Sequence, residues 1–108
     1  MTVPRSWVVK GFNHGKQYMY ETYFSEDEAI WRIASILDKL HCVDILNDGY
    51  FEYTVFMGNK FLKLYVLECY AFGLKFIIQK KSKGDINKRS FNYKLRKFKR
   101  EFNEEVKV

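Results

Sequence analysis

The stretch SEDEAIWRIASILDKLH, residues 25 to 41, carries the clearest local signal in the sequence. Ser25 precedes Glu28 by three positions, the spacing at which a serine hydroxyl accepts a backbone N–H and the glutamate reaches back to the cap. Apolar residues then recur at helical spacing: Ala29, Ile33, Ile36, Leu37 and Leu40. The stretch predicts an amphipathic helix whose apolar side packs on a sheet.

Runs typical of β-strands lie on both sides of this helix. WVVKGF (7–12) and QYMYETYF (17–24) are rich in β-branched and aromatic residues, and NHGK between them supplies the glycine that a tight turn needs. We expect these two runs to pair as a hairpin. Three more strand patterns follow the helix, YFEYTVF (50–56), FLKLYVLECY (61–70) and LKFIIQKK (74–81), and VDIL (43–46) is a candidate short strand.

Alternation within the later strands predicts one apolar and one mixed sheet face. The side chains expected on the apolar face are Leu62, Leu64, Val66, Leu74, Phe76 and Ile78. Those expected on the mixed face are Lys63, Tyr65, Lys75, Ile77, Gln79 and Lys81. Basic and aromatic residues on an open sheet are typical of surfaces that hold single-stranded nucleic acid, but ordinary cross-strand packing gives the same pattern.

A second helix is predicted at the end of the sequence, where apolar residues recur at helical spacing: Phe91, Leu95, Phe98, Phe102 and Val106. The element order ββαβββα predicts a single α+β domain over residues 1–108, with an antiparallel sheet of four to five strands and both helices on one face. From the first helix onward this order is similar to that of double-stranded-RNA-binding domains. The N-terminal hairpin is foreign to that family and its characteristic loop sequence is absent, so the similarity concerns element order alone.

Positive charge is concentrated in one quarter of the chain. Residues 75–100 contain eleven Lys or Arg and one acid, Asp85, for a net charge of +10, although the whole chain carries only +6. On a helical wheel of KRSFNYKLRKFKREF (88–102), Arg89, Arg96, Lys97 and Arg100 lie opposite the apolar stripe with Tyr93 among them. The candidate nucleic-acid-binding residues are Lys81, Lys83, Lys88, Arg89, Tyr93, Arg96, Lys97 and Arg100.

Such a stripe has several interpretations. A row of cations can neutralise phosphates and release counterions, and a tyrosine within it can stack on a base. A lysine-rich solvated face, or contact with an acidic protein surface, gives the same pattern. Anionic lipid fits less well, because the aromatic side of this helix is needed for the core.

A second candidate surface lies on the first helix. Trp31 falls opposite the apolar stripe, beside Asp27 and Asp38, where a helix in water normally shows polar groups. A large rigid ring at such a position is typical of an anchor in a protein interface. The alternative is that the N-terminal hairpin covers Trp31.

Catalysis, metal binding and cofactor binding find little support in the sequence. There is no GxGxxG, GxxxxGK[ST], HExxH or GxSxG motif, and the carboxylates lack metal-site spacing. We interpret Cys42 and Cys69 as buried reduced thiols, because they lack CxxC spacing and lie in apolar sequence. No apolar run is long enough for a signal peptide or membrane span, so we expect a cytoplasmic protein without membrane contact.

The sequence thus predicts a small basic binding protein without catalytic activity or cofactor, which engages RNA, DNA or a nucleoprotein complex through the second helix and the adjacent strand. The alternative is a protein-protein inhibitor or adaptor, such as a phage-type accessory protein that blocks a host enzyme. Phe, Tyr, Met, Ile, Asn and Lys make up 48 of the 108 residues, a bias that suggests an AT-rich gene and fits a phage or mobile-element origin. Oligomeric state does not follow from the sequence.

Overall fold

In the computed structural model, two helices pack on one face of a five-stranded sheet. The structure describes residues 6–40, 49–56, 60–69, 73–82 and 85–106, without the side chains of 53–56, 60–62 and 103–106. The elements are β1 (Trp7–Asn13), β2 (Lys16–Tyr23), α1 (Glu26–Lys39), β3 (Tyr50–Phe56), β4 (Lys60–Cys69), β5 (Leu74–Lys80) and α2 (Lys88–Val106). The predicted α+β class and element order are confirmed, and the candidate strand at 43–46 lies outside the described residues.

The sheet is antiparallel and has the strand order β2-β1-β5-β4-β3, so β1 joins the N-terminal hairpin to the last strand. The hairpin turn places His14 at φ 50° and Gly15 at φ 82°, the positive angles that a two-residue turn of this kind requires. The backbone N–H of His14 donates to the carbonyl oxygen of Gly73 at 2.9 Å. The β1–β2 turn therefore contacts Gly73, the residue directly before β5.

The core lies between the sheet and the two helices. At the start of α1, the hydroxyl of Ser25 accepts the backbone N–H of Glu28 at 3.2 Å, so half of the predicted capping box is present. The core side chains include Ala29, Ile30, Ile33, Ala34 and Leu37 from α1, Phe91 and Leu95 from α2, and Trp7, Val9, Tyr65, Leu67, Phe76 and Ile78 from the sheet. Leu40, predicted on the apolar stripe, is 38% exposed because α1 ends at Lys39.

The predicted orientation of β4 is wrong. Tyr65 pairs with Ile78 and Leu67 pairs with Phe76, so these residues share the face that the helices cover. Tyr65, expected on the mixed face, is fully buried. Val66 points to the opposite face and is also fully buried, which means that both faces of β4 are apolar and alternation alone cannot distinguish them.

The interpretation of the cysteines as reduced thiols is also wrong for the residue that the structure describes. Cys69 is buried and disulfide-bonded, and the described part of the chain contains no free cysteine. The sequence has one other cysteine, Cys42, which lies outside the described residues. Apolar surroundings indicate burial of a cysteine but not its oxidation state.

No helix in the described part of the chain has the length and apolarity needed to cross a membrane.

Candidate nucleic-acid interface

The rotation of α2 about its axis is fixed by its buried side. Phe91 and Leu95 are 0% and 3% exposed, and Phe98 and Phe102 pack at the margin of the core. The ring of Phe91 meets that of Tyr65 edge to face, with centroids 5.0 Å apart. Because these contacts anchor one side of the helix, the opposite side faces solvent.

The solvent side of α2, here called the basic face, consists of Lys88, Arg89, Tyr93, Arg96, Lys97 and Arg100. All six side chains are exposed, and Tyr93 is 64% exposed. From Arg89 to Arg100 the helix rises about 16 Å. A strand of B-form DNA has one phosphate per about 3.4 Å of axis, so a face of this length can reach several phosphates.

The two other predicted residues precede the helix. Lys81 directly follows β5 and is exposed, and its backbone N–H donates to the carbonyl oxygen of Ser6 at 2.7 Å. Lys83 lies outside the described residues. The structure therefore brings six of the eight predicted residues together on one helix and places a seventh at the end of β5.

Asp27, Glu26 and Asp85 pair with basic residues that are not part of this face. Lys94, on the side of α2 toward α1, lies 2.8 Å from Asp27 and 3.4 Å from Glu26. The hydrogen bond to Asp27, foremost, raises the pKa of Lys94. Lys63 pairs with Asp85 at 3.2 Å. Among the described residues, no salt bridge involves Lys88, Arg89, Lys97 or Arg100.

The N-terminal half of the basic face surrounds a shallow depression of about 340 Å³. It is lined by Lys88, Arg89, Asn92, Tyr93 and Arg96. Asn87 fixes the beginning of the helix here, because its side-chain oxygen accepts the backbone N–H of Ser90 at 3.0 Å. No acidic residue lies in the first turn of α2. Among the described residues, three cations and two polar side chains thus line the depression.

Sequence reasoning missed Asn92. This residue is 8% exposed, and its Oδ1 accepts a hydrogen bond from the hydroxyl of Tyr65 at 2.7 Å. On the wheel it lies about 60° from Leu95, beside the apolar stripe, and a polar residue at that position was the available signal. Its hydrogen bond could not be anticipated, because Tyr65 was expected on the other sheet face.

The candidate protein-interface residues do not form one compact patch. Trp31 is 38% exposed, and its ring lies 5.3 Å from that of Phe98 and 4.1 Å from that of Phe102, so α2 covers it rather than the hairpin. Asp27 pairs with Lys94. Asp38 is half-buried and follows Asp27 by about 16 Å along the helix.

A second polar cluster holds α1 against the edge strand β2. Arg32 donates to both carboxylate oxygens of Glu21, with a shortest distance of 3.1 Å, and the hydroxyl of Tyr23 donates to the same carboxylate. Burial first, and then the bond to Glu21, raise the pKa of Tyr23. Burial alone would raise the pKa of Glu21, but the hydrogen bonds from Tyr23 and Arg32 lower it. We assign this cluster a structural role.

Comparisons with known proteins assign no family to the chain. No family model, curated protein or solved structure matches it. Within the described residues, no group of three or more His, Cys, Asp or Glu side chains is arranged to hold a metal ion.

Proposed function

We propose that this chain is a small binding protein without catalytic activity, which engages nucleic acid or a nucleic-acid-handling complex through the basic face of α2. The observation that carries the proposal is the separation of charge on this helix. Its cations line one exposed side, whereas Asp27, Glu26 and Asp85 pair with Lys94 and Lys63, and Glu101 is the one acid among residues 88–102 of the helix. Such a surface suits a polyanion.

The physical basis of binding would be counterion release. Each phosphate that a lysine or arginine neutralises frees condensed cations, so the logarithm of the affinity falls by about 0.9 per phosphate for each unit of log salt on duplex DNA. Arginines also make two parallel hydrogen bonds to one phosphate group. RNA and DNA both meet these requirements, and the proposal includes both.

The cytoplasmic location belongs to the same proposal, and the disulfide at Cys69 opposes it. Structural disulfides persist in oxidising compartments and are rare in the cytosol. Alkylation of the thiols in intact cells, followed by mass measurement, tests the location. Two alkylated cysteines agree with a reducing compartment, whereas none would place the protein in an oxidising one.

Fluorescence anisotropy with labelled oligonucleotides tests the proposal. The variant carries Arg89→Glu, Lys97→Glu and Arg100→Glu, three positions without a salt bridge in the described structure. A matched control reverses Lys10, Lys16 and Lys39, which lie on other elements, so that net charge changes equally.

We expect the α2 variant to lose binding and the control to keep most of it, with both retaining the wild-type far-UV spectrum. Steep salt dependence should accompany wild-type binding. If the folded α2 variant binds as tightly as the wild type, the basic face is not the site.

A protein-protein inhibitor or adaptor is the second candidate, and the exposure of Trp31 favours it. A ring that is 38% exposed and backed by Phe98 and Phe102 resembles the rigid aromatic anchors of protein interfaces. A complex with a protein should survive nuclease treatment and weaken on Trp31→Ala. A complex bridged by nucleic acid should disappear with nuclease and depend on the basic face.

A further inference from the structure

The depression on the basic face has the size of a small-ligand site. Its volume of about 340 Å³ is at the lower end of the range of about 300–1,000 Å³ for such sites. This space suits one phosphate-bearing nucleotide rather than a base pair. Lys88, Arg89 and Arg96 contribute positive charge to its lining, and arginine matches the geometry of a phosphate group.

Asn92 presents a hydrogen-bond donor at this depression. It is the one buried polar residue in the described part of the chain, and Tyr65 occupies its Oδ1. The Nδ2 atom of Asn92 donates no hydrogen bond to any described residue. Among the described residues, however, every fully buried side-chain nitrogen or oxygen atom has a hydrogen-bond partner. Nδ2 therefore keeps some contact with solvent, and Asn92 lines the depression.

The contact with Tyr65 makes this donor rigid. Tyr65 is fully buried, with its ring against those of Phe91 and Phe51, so its hydroxyl is held in place. That hydroxyl fixes the orientation of the Asn92 amide. A buried polar side chain with one half fixed and the other half offered to solvent differs from the mobile lysines of an ordinary charged surface.

Tyr93 adds a flat surface beside the donor. It also lines the depression, and 64% of the residue is exposed. Stacking of a base on an aromatic ring requires an unpaired base face, which a single strand offers and the interior of a duplex does not. The combination of a phosphate-binding lining and a stacking ring therefore favours single strands.

We infer that the depression binds one nucleotide of a single-stranded nucleic acid. The phosphate lies among Lys88, Arg89, Arg96 and the Asn92 amide, and the base stacks on Tyr93. This inference rests on the proposed function and deepens it, because it specifies the strandedness of the ligand and the residues that read it.

Anisotropy titrations with a single strand and a duplex of equal phosphate number test the inference. Tyr93→Ala should weaken single-strand binding about fivefold or more, because stacking on an aromatic ring is worth about 1–3 kcal/mol per base. Duplex binding and the salt slope should change little. Tyr93→Phe should retain wild-type affinity, since it keeps the ring.

Asn92→Asp provides a second test that preserves the fold. The aspartate retains an oxygen for the Tyr65 hydroxyl but replaces the donor with a negative charge, so single-strand binding should fall several-fold. In NMR titrations of the wild type, adenosine monophosphate should shift the Asn92 side-chain amide at concentrations where adenosine alone does not. Absence of that shift would contradict the inference.

The matched control is Tyr20→Ala, because Tyr20 is 54% exposed on β2 and lies away from α2. A loss of single-strand binding on Tyr20→Ala but not on Tyr93→Ala would move the site to the open sheet face and overturn the inference. Equal affinity for both ligands without any effect of Tyr93→Ala would also overturn it, yet leave the proposed function intact. Absence of salt-dependent binding to either ligand would refute both.

Discussion

The two helices pack on the same sheet face, but their outer sides differ. On α1, Arg32 binds Glu21 of β2 and Asp27 binds Lys94 of α2, so outward charges serve the fold. Three acids occupy the first turn of α1, where the helix dipole favours them. In contrast, α2 begins with Lys88 and Arg89, and no acid lies in its first turn.

The charges at the start of α2 oppose helix stability, whereas those at the start of α1 favour it. Cations at a helix N-terminus oppose the dipole, and basic residues spaced three or four apart repel each other. Natural proteins tend to break such local rules where a surface serves a function. The outward charges of α1 thus contribute to the fold, whereas those at the start of α2 fit the proposed polyanion-binding surface.

The largest expected effect concerns the buried sides, where the two helices should behave alike. Phe91→Ala should lower the free energy of unfolding by about 3–5 kcal/mol and Ile33→Ala by about 2–5 kcal/mol, because each leaves a cavity in the core. Urea unfolding followed by circular dichroism measures both. A cost below about 1 kcal/mol at Phe91 would mean that α2 is not docked on the sheet.

Trp31 lies between the helices and should give an intermediate effect. Trp31→Ala should cost about 2 kcal/mol, since the ring packs on Phe98 and Phe102 while part of it stays in water. Tyr93→Ala, at a more exposed position, should cost less than about 0.5 kcal/mol in the same urea assay. A loss above about 3 kcal/mol at Trp31 would place it in the core and weaken the case for a protein anchor.

The Glu21, Tyr23 and Arg32 cluster on α1 and β2 should make stability depend on pH at both extremes. The pKa of Tyr23 is raised in the folded state, so its contribution is complete below about pH 10 and is lost as the pH rises further. The pKa of Glu21 is lowered, so its contribution is present above about pH 4.5 and is lost as the pH falls.

Urea unfolding at a series of pH values measures this dependence. In a plot of the free energy of unfolding against pH, Tyr23→Phe should reduce the loss of stability at alkaline pH, and Glu21→Gln should reduce the loss at acidic pH. Unchanged losses in both variants would show that the cluster does not hold α1 in solution.

The smallest expected changes in stability distinguish two cations of α2, Lys94, which contacts α1, and Lys97, which belongs to the basic face. Lys94→Gln should cost about 0.5 kcal/mol, because it removes a partly exposed bridge to α1. Lys97→Gln should leave stability unchanged or slightly raised at low salt, because it relieves repulsion on the basic face. Thermal unfolding in low and high salt compares the two. Equal destabilisation by both variants would contradict the division between structural and ligand-binding cations.

Local patterns predicted the helices and most strands well. The Ser25 cap, the spacing of Phe91 and Leu95, and the turn glycine Gly15 act within a few residues, so the sequence displays them directly. The same spacing placed the basic face on the outside of α2. Features that depend on residues close together in the sequence could therefore be predicted from the sequence.

The errors concern interactions between distant segments. The orientation of β4 depends on its register with β5, and a strand that is apolar on both faces does not reveal it. The hydrogen bond between Tyr65 and Asn92 depends on that orientation, so the sequence alone did not indicate Asn92 as part of the candidate site. The cover over Trp31 comes from α2, which follows it by more than fifty residues.

The pairing of β1 with β5 has a consequence for synthesis of the chain. Trp7 pairs with Lys80, so the hairpin made first must wait for the last strand before its inner edge is covered. At about 5–20 residues per second, translation of the intervening chain takes several seconds. During that time β1 offers unpaired backbone groups, a recognised starting point for aggregation. Nascent chains that are stalled before residue 80 should therefore expose a hairpin that chaperones bind. Chains that have been synthesised beyond β5 and released from the ribosome should no longer be bound.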